Sequence, residues 1–222
     1  MTWENLTEDA DALRERLGFE RWAVLGHSFG GNVALEYALR YPDRVSHLVL
    51  MDTGADGHWQ QENATSLLTE RGYDPKKVEL VRRWFHGEFT SKEYWPIFLR
   101  IGSAYWSSPS WPLLLRTLVE GGWRSRSRPD AMLFASRVLM KNWSVQDRLG
   151  DITAPTLVLA GRDDFVFPPE CQRELAAAIP NARLHLVDHA GHSPHDEQTE
   201  ETLHAVTEFI RVAQQPPPGE RS

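Results

Sequence analysis

Gly26-His27-Ser28-Phe29-Gly30 sets a serine between a short apolar run and a helical pattern. The run before it is Trp22-Ala23-Val24-Leu25. The segment after it, Asn32 to Arg40, carries Val33, Ala34, Tyr37 and Ala38 at helical spacing. A G-x-S-x-G between strand and helix reads as a nucleophile elbow. Such a turn strains the serine backbone, so positions two residues away must be nearly free of side chains. Gly26 and Gly30 meet that need, and Gly31 lets the helix approach the sheet closely. Placed at a helix start, Ser28 also faces free N–H groups and a positive dipole end, both of which favour an oxyanion. A glycine-rich turn with an incidental serine would carry no chemistry. The order strand, turn, helix is what gives it one.

The chain has 222 residues, enough for one domain with a sizeable core. With 24 basic and 31 acidic residues its formal charge is −7, which argues against a nucleic-acid partner. The basic cluster Arg124-Ser125-Arg126-Ser127-Arg128 reads as a solvated loop rather than a phosphate site. Cys171 is the lone cysteine, so no internal disulfide forms and a reducing compartment is compatible. No apolar run is long enough to span a bilayer, and Met1 to Glu8 is polar and acidic, unlike a signal peptide. These features give the expectation of a cytoplasmic protein with no membrane partner.

Apolar periodicity predicts a helix over Leu6 to Leu17, with Leu6, Ala10, Leu13 and Leu17 on its buried face and Gly18 as the stop. Strands are predicted at Trp22–Leu25, Val45–Met51, Thr156–Ala160 and Arg183–Val187. Helices are predicted over Gly30–Arg40, about Glu170–Ala178, and Glu200–Ala213, the last with Leu203, Val206, Phe209 and Ile210 as its stripe. Apolar strands alternating with helices imply an α/β fold with a mostly parallel sheet. Residues 55–149 break the rhythm and hold seven of the nine tryptophans: Trp59, Trp84, Trp95, Trp106, Trp111, Trp123 and Trp143. They read as an inserted helical cap, with 1–54 and 150–213 as the core and 214–222 as a disordered tail. Most of those aromatics are expected to pack the cap itself; Trp59, Trp95 and Trp106 are candidates for a substrate pocket, as is His27.

A serine hydroxyl is a weak nucleophile near neutral pH without a base in reach, and the base needs a carboxylate to orient it. Sites in parallel α/β sheets gather at the carboxyl ends of strands. There the third strand ends in Gly161-Arg162-Asp163-Asp164 and the fourth in Asp188-His189-Ala190-Gly191-His192-Ser193. The chain order Ser…Asp…His is that of the α/β-hydrolases. A rival is a metal cluster of His189, His192 and His195 beside Asp188 and Asp196. Loops containing Gly191 and Pro194 do not present an i, i+3, i+6 row as a helix would, so no metal is expected.

The chain thus resembles the α/β-hydrolase superfamily, and most closely the cap-bearing branch of proline iminopeptidases and small esterases or lactonases. The resemblance extends to about Ala213. It implies that the acid is the aspartate of G-x-x-D-x-x-x-P, here Gly161 to Pro168, which selects Asp164 and leaves Asp163 as a turn-former or salt-bridge partner. Asp52, also at a strand end, is a lesser alternative acid. The family histidine matches His192 in Gly191-His192-Ser193, and Glu197 is expected to anchor the closing helix. Implied roles follow: Ser28 attacks a carbonyl, His192 takes its proton, Asp164 orients the ring, and the Phe29 N–H donates to the oxyanion, with no cofactor. A serine nucleophile sets the chain apart from relatives that use aspartate at that position.

One departure stands out. The superfamily sheet has eight strands with the nucleophile after the fifth, whereas here one helix precedes the elbow strand. The sequence therefore matches strands five to eight, and the loop carrying a second oxyanion donor is not matched; losing one such donor costs about 10²–10³ in kcat. The elbow strand would be left as an apolar edge, inviting association such as a homodimer. A late-called gene start is the favoured explanation, ahead of a fragment or a shortened dimeric protein. Two functions are expected to compete: a hydrolase of a small ester, lactone or amino-terminal prolyl peptide, and a non-catalytic binding module that retains the triad as ancestry. The peptide variant needs carboxylates for the substrate ammonium, with Glu62, Glu88, Glu93 and Glu120 as candidates.

Overall fold

The computed structural model describes residues 1–119 and 128–212. Glu120, Trp123, the cluster from Arg124 to Ser127 and the expected tail lie outside the described residues. The chain runs α1 (Trp3–Arg16), β1 (Trp22–His27), α2 (Phe29–Arg40) and β2 (Val45–Met51). A helical stretch follows: α3 (Ala64–Glu70), α4 (Pro75–Phe85), α5 (Tyr94–Ile101), α6 (Trp111–Leu118) and α7 (Pro129–Phe134). The chain then returns to β3 (Thr156–Gly161), α8 (Pro169–Ala178), β4 (Ala182–Val187), α9 (Pro194–Glu197) and α10 (Thr199–Val212). No described helix is long and apolar enough to cross a membrane.

The four strands form one parallel sheet in the order β1-β2-β3-β4. The apolar continuity of β2 follows from burial on both faces. Leu48 and Leu50 pack with Ala34, Leu35 and Ala38 of α2 and with Leu175 of α8, while Val49 and Met51 pack with Phe209 of α10. Among the described residues β1 pairs with β2 alone, and Leu25 on it is 51% exposed. The helical stretch builds a core of its own from Leu68, Val81, Trp84, Phe85, Ile97 and Ile101, resting on Phe165, Val166 and Phe167 after β3.

Two amphipathic stripes depart from expectation. In α1 the buried residues are Thr7 and Arg14, and Leu13 and Leu17 are exposed. Polar burial is satisfied locally, which is what makes it tolerable. Thr7 donates its hydroxyl to the carbonyls of Trp3 and Glu4, and Arg14 pairs with Asp11 and donates to the Phe19 carbonyl. Asp11 also accepts from the Tyr37 hydroxyl at 2.9 Å, tying α1 to α2 through polar groups instead of leucines. In α10 Leu203 faces solvent and Thr202 is buried beside it, while Val206, Phe209 and Ile210 of the expected stripe pack inward. Trp143 joins the α1–α2 side rather than the helical stretch. It stacks on Trp3 at 4.9 Å and donates its indole N–H to Glu36 at 2.8 Å.

Glycine spacing around the elbow also needs correcting. A Cβ on Gly26 would lie 2.3 Å from the Gly30 carbonyl oxygen, and one on Gly31 would lie 2.5 Å from the Thr53 side chain. A Cβ on Gly30 would meet nothing within 4 Å. The tight pair is therefore Gly26 and Gly31, with Gly30 contributing backbone alone. Gly26→Ala is expected to destabilise the fold by about 3 kcal/mol, as overpacking does. Gly30→Ala is expected to stay within about 1 kcal/mol of the parent or gain slightly from helix propensity. Urea unfolding followed by circular dichroism measures both.

Candidate active site

Ser28 sits between β1 and α2 with φ +53° and ψ −123°. Left-handed backbone costs a residue with a Cβ about 1–3 kcal/mol and persists where the surroundings over-determine it. Here they do. The Ser28 N–H donates to the Met51 carbonyl at 2.9 Å, and its own carbonyl accepts from the Thr53 hydroxyl at 2.9 Å and the Gly31 N–H at 2.8 Å. Asn32 and Gln172, both fully buried, lock the segment that carries Thr53. Asn32 donates to the Gly54 carbonyl at 2.8 Å and Gln172 to the Thr53 carbonyl at 3.0 Å. As the first residue of α2, Phe29 has an N–H with no intrahelical acceptor.

The three residues expected to act together are brought together. The Ser28 hydroxyl donates to His192 Nε2 at 3.0 Å, and His192 Nδ1–H donates to Asp164 Oδ2 at 2.9 Å. This is the geometry of an activated nucleophile, with the acid fixing the imidazole tautomer. Asp164 is fully buried, and Val166 N–H donates to its Oδ1 at 2.8 Å. Burial alone would raise its carboxyl, but His192 and the N–H groups of Val166 and Phe167 outweigh burial and hold it below the usual carboxylate range. Asp163 is turned away from the relay, accepting the Ser107 hydroxyl at 2.5 Å.

His27 is not part of the cavity wall. Its Nε2–H donates to the His192 carbonyl at 2.7 Å, and its ring lies 5.1 Å from that of His192. Burial, reinforced by the neighbouring His192, pulls His27 down to about 3, so it is a neutral support for the backbone of the His192 loop. Glu197 does more than anchor a helix. Its carboxylate accepts from Gly191 N–H at 2.7 Å on the loop of His192, and from Ser107 N–H at 2.8 Å and Ser108 N–H at 3.2 Å after the helical stretch's α5. The His192 N–H donates to Tyr105 O at 2.7 Å beside that clamp. An acid five residues after His192 was visible in the sequence, but two of its three donors, Ser107 and Ser108, come from a segment about ninety residues away and were not.

Ser28 and His192 open into a cavity of about 360 Å³ walled by Trp84, Phe85, Tyr105, Met132, Ala135 and Met140, with Gln60 and Ser136 as its further polar groups. The aromatic candidates are displaced from it. Trp59 lines a separate cavity beside Cys171, Trp95 packs its ring against Tyr94 and Phe98, and Trp106 is buried elsewhere. Trp84 and Phe85 of α4 take the place foreseen for them. Among the described residues, the acidic and histidine ligand atoms that gather are those of Asp52, Asp164 and His192, within 4.8 Å of one another. Both His192 nitrogens are engaged in the relay, and His189 and His195 do not join that group.

A serine, histidine and aspartate at the carboxyl ends of parallel strands define a hydrolase-type site on an α/β sheet. Comparison places the chain within that class: a family profile described as alpha/beta hydrolase fold matches residues 1–199, and the chain belongs to this family. It is 32% identical over 204 residues to the proline iminopeptidase PfmaB of Pestalotiopsis fici, covering 90% of this chain and 71% of that protein. It is 28% identical over 204 residues to a 2-hydroxy-6-oxo-6-phenylhexa-2,4-dienoate hydrolase of Comamonas testosteroni, covering 90% of this chain and 66% of that one. The chain thus spans about two thirds of the length of such relatives. The esterase EaEST from Exiguobacterium antarcticum shares the fold, with a TM-score of 0.74 at 19% identity over 95% of this chain and 74% of its own.

Asp164→Asn is expected to slow the reaction of Ser28 with a fluorophosphonate by about 10⁴-fold, as loss of the orienting carboxylate does in other triads. Mass spectrometry of the labelled peptide follows the rate. Glu197→Ala removes an acceptor shared by three N–H groups and is expected to lower stability by about 3 kcal/mol, measured by urea unfolding.

Proposed function

We propose that this chain is a serine hydrolase of neutral carboxylic esters whose acyl or alcohol part is apolar, working through an acyl-enzyme on Ser28. Ser28 Oγ attacks the ester carbonyl carbon and its proton passes to His192 Nε2. Asp164 stabilises the imidazolium that forms, and the Phe29 N–H donates to the developing oxyanion. His192 returns the proton to the leaving alkoxide as the C–O bond breaks. A water molecule then attacks the acyl carbon, giving its proton to His192, and the carboxylic acid leaves with Ser28 reprotonated. The helical insertion, residues 55–149, serves in this reading as a cap over a core of residues 1–54 and 150–213.

The chemistry of the cavity wall carries the proposal. No carboxylate and no lysine or arginine is among its described lining residues, while its aromatic and methionine side chains favour an uncharged apolar group. A substrate ammonium would need a carboxylate there. Glu88 and Glu93 are instead paired with Arg82 and Arg83, and Glu62 with His58, outside the cavity. A substrate carboxylate such as that of the dienoates named for one relative would need a cation, and no cationic side chain is among the described lining residues. Gln60 and Ser136 offer hydrogen bonds that a neutral ester can use.

The test is turnover of p-nitrophenyl butyrate set against proline p-nitroanilide, with Ser28→Ala as the blank. The expected outcome is a kcat/KM at least about 100-fold higher for the ester, the scale on which a buried unpaired ammonium is rejected. Turnover of the anilide alone would replace this reading with the peptidase one. A folded protein whose Ser28 takes up no fluorophosphonate would replace it with a non-catalytic binding role.

A further inference from the structure

Asp52 closes β2 at φ +45°, and its carboxyl is fully buried. One oxygen is accounted for: Oδ1 accepts the Gly161 N–H at 2.9 Å, bridging the ends of β2 and β3. The other, Oδ2, is buried with no hydrogen-bond partner. An unpaired buried carboxylate oxygen is among the costliest groups an interior can hold. Beside it lies Asp164, also fully buried, with ligand atoms of both carboxyls and of His192 within 4.8 Å. Asp164 still has lone-pair capacity after accepting from Val166 N–H and His192 Nδ1–H.

We propose that Asp52 is a positioning residue for the relay: it is a neutral carboxylic acid whose Oδ2–H donates to Asp164, so the pair carries one negative charge, held on Asp164 against His192. Two acids this close in a dry interior do not both ionise. The asymmetry between them is structural. Asp164 collects a histidine and two N–H groups that favour its charge, whereas Asp52 collects a single N–H. Burial first, and then the charge of Asp164, push the Asp52 carboxyl well above the usual carboxylate range. The proton turns the orphaned Oδ2 from an unpaired acceptor into a donor.

This assigns Asp52 a different part from that of an alternative orienting acid. Its hydrogen bond fixes the plane of the Asp164 carboxyl and spreads part of its charge away from His192. The other titratable groups facing the pair are His27 on β1, Tyr105 after α5, Cys171 on α8 and Glu197 on α9, with His195 of α9 packed edge-on against the His27 ring. None of these is a lysine or arginine that could neutralise a second carboxylate.

The role in catalysis rests on the hydrolase reading, and the protonation state does not, so two measurements are made. Infrared difference spectra of wild type against Asp52→Asn at pH 7 need no turnover. A protonated-carboxyl C=O band belonging to the wild type is expected, and its absence overturns the proposal. In ester kinetics, Asn keeps a donor toward Asp164 and an acceptor for Gly161. Asp52→Asn is therefore expected to hold kcat within about threefold and leave the acid limb of kcat/KM unmoved. Asp52→Leu, which keeps neither, is expected to lower kcat about 10-fold or more at unchanged KM and to move the acid limb upward in pH. A downward move of that limb in Asp52→Asn would mean that Asp52 is ionised, and an unmoved limb in Asp52→Leu would mean that its role is purely structural. Either overturns the proposal. Wild type that shows the band but turns over no ester refutes the hydrolase reading while the carboxyl pair stands.

Discussion

Everything at the site depends on the close approach of α2 to the ends of β1 and β2. Ser28 can hold φ +53° because Gly26 lets the chain fold back on Gly30 and Gly31, and because Gly31 seats against Thr53. A Cβ at either glycine would lift α2 from the sheet and release the serine into an ordinary conformation. The hydrogen bonds from Thr53 and to Met51 then offset the strain, and they come from the neighbouring strand rather than from the turn itself. The elbow is therefore a property of two strands and a helix. Asn32 and Gln172 extend the same lock to α8 and to Phe167, which is why buried amides occur in an otherwise apolar layer.

What could be read from residues alone divides along a physical line. Strands buried on both faces are continuous apolar runs, so β2, β3 and the parallel pairing were legible. Ser28 and the two strand-end segments after β3 and β4 were legible because strand ends in such sheets converge, and the family resemblance picked Asp164 and His192 within them. Features set by the relative rotation of helices were not. Leu13 and Leu17 fit a helical stripe, yet α1 turns Thr7 and Arg14 inward because the Trp3 and Glu4 carbonyls offer partners to the first, and Asp11 and the Phe19 carbonyl to the second. The aromatic residues of the insertion all had suitable chemistry for a pocket. Which of them lines it depends on how α4 and α7 lie over Ser28, and that placed Trp84 and Phe85 there and left Trp59, Trp95 and Trp106 outside. His27 was misread, and the wider part of Glu197 missed, for a related reason: their partners are backbone groups, which carry no residue-type signal.

Those backbone partners bind the relay to one side of the helical stretch. The loop of His192 is held by Tyr105 O and by Glu197, whose other donors are Ser107 and Ser108, and Asp163 beside the acid takes Ser107 Oγ and holds Arg71 through its carbonyl. Phe165 and Phe167, flanking Asp164 and Val166, pack into the core of the helical stretch. Any shift of the segment 105–108 would move His192 with it. The opposite wall is attached differently. Met132, Ala135, Ser136 and Met140 lie on α7 and the turn after it, and that element is tied to the α4–α5 connection by Arg137 on Gly87 and Phe89 and by Asp130 on Ser91. None of those bonds reaches a loop bearing Ser28, Asp164 or His192. The cavity is thus bounded by one wall hydrogen-bonded to the loops of Asp163 and His192, and by another whose cited hydrogen bonds run to the α4–α5 connection and which meets the rest of the molecule through apolar packing of Leu133 on Phe165 and Phe167 and of Met140 in the core under α2.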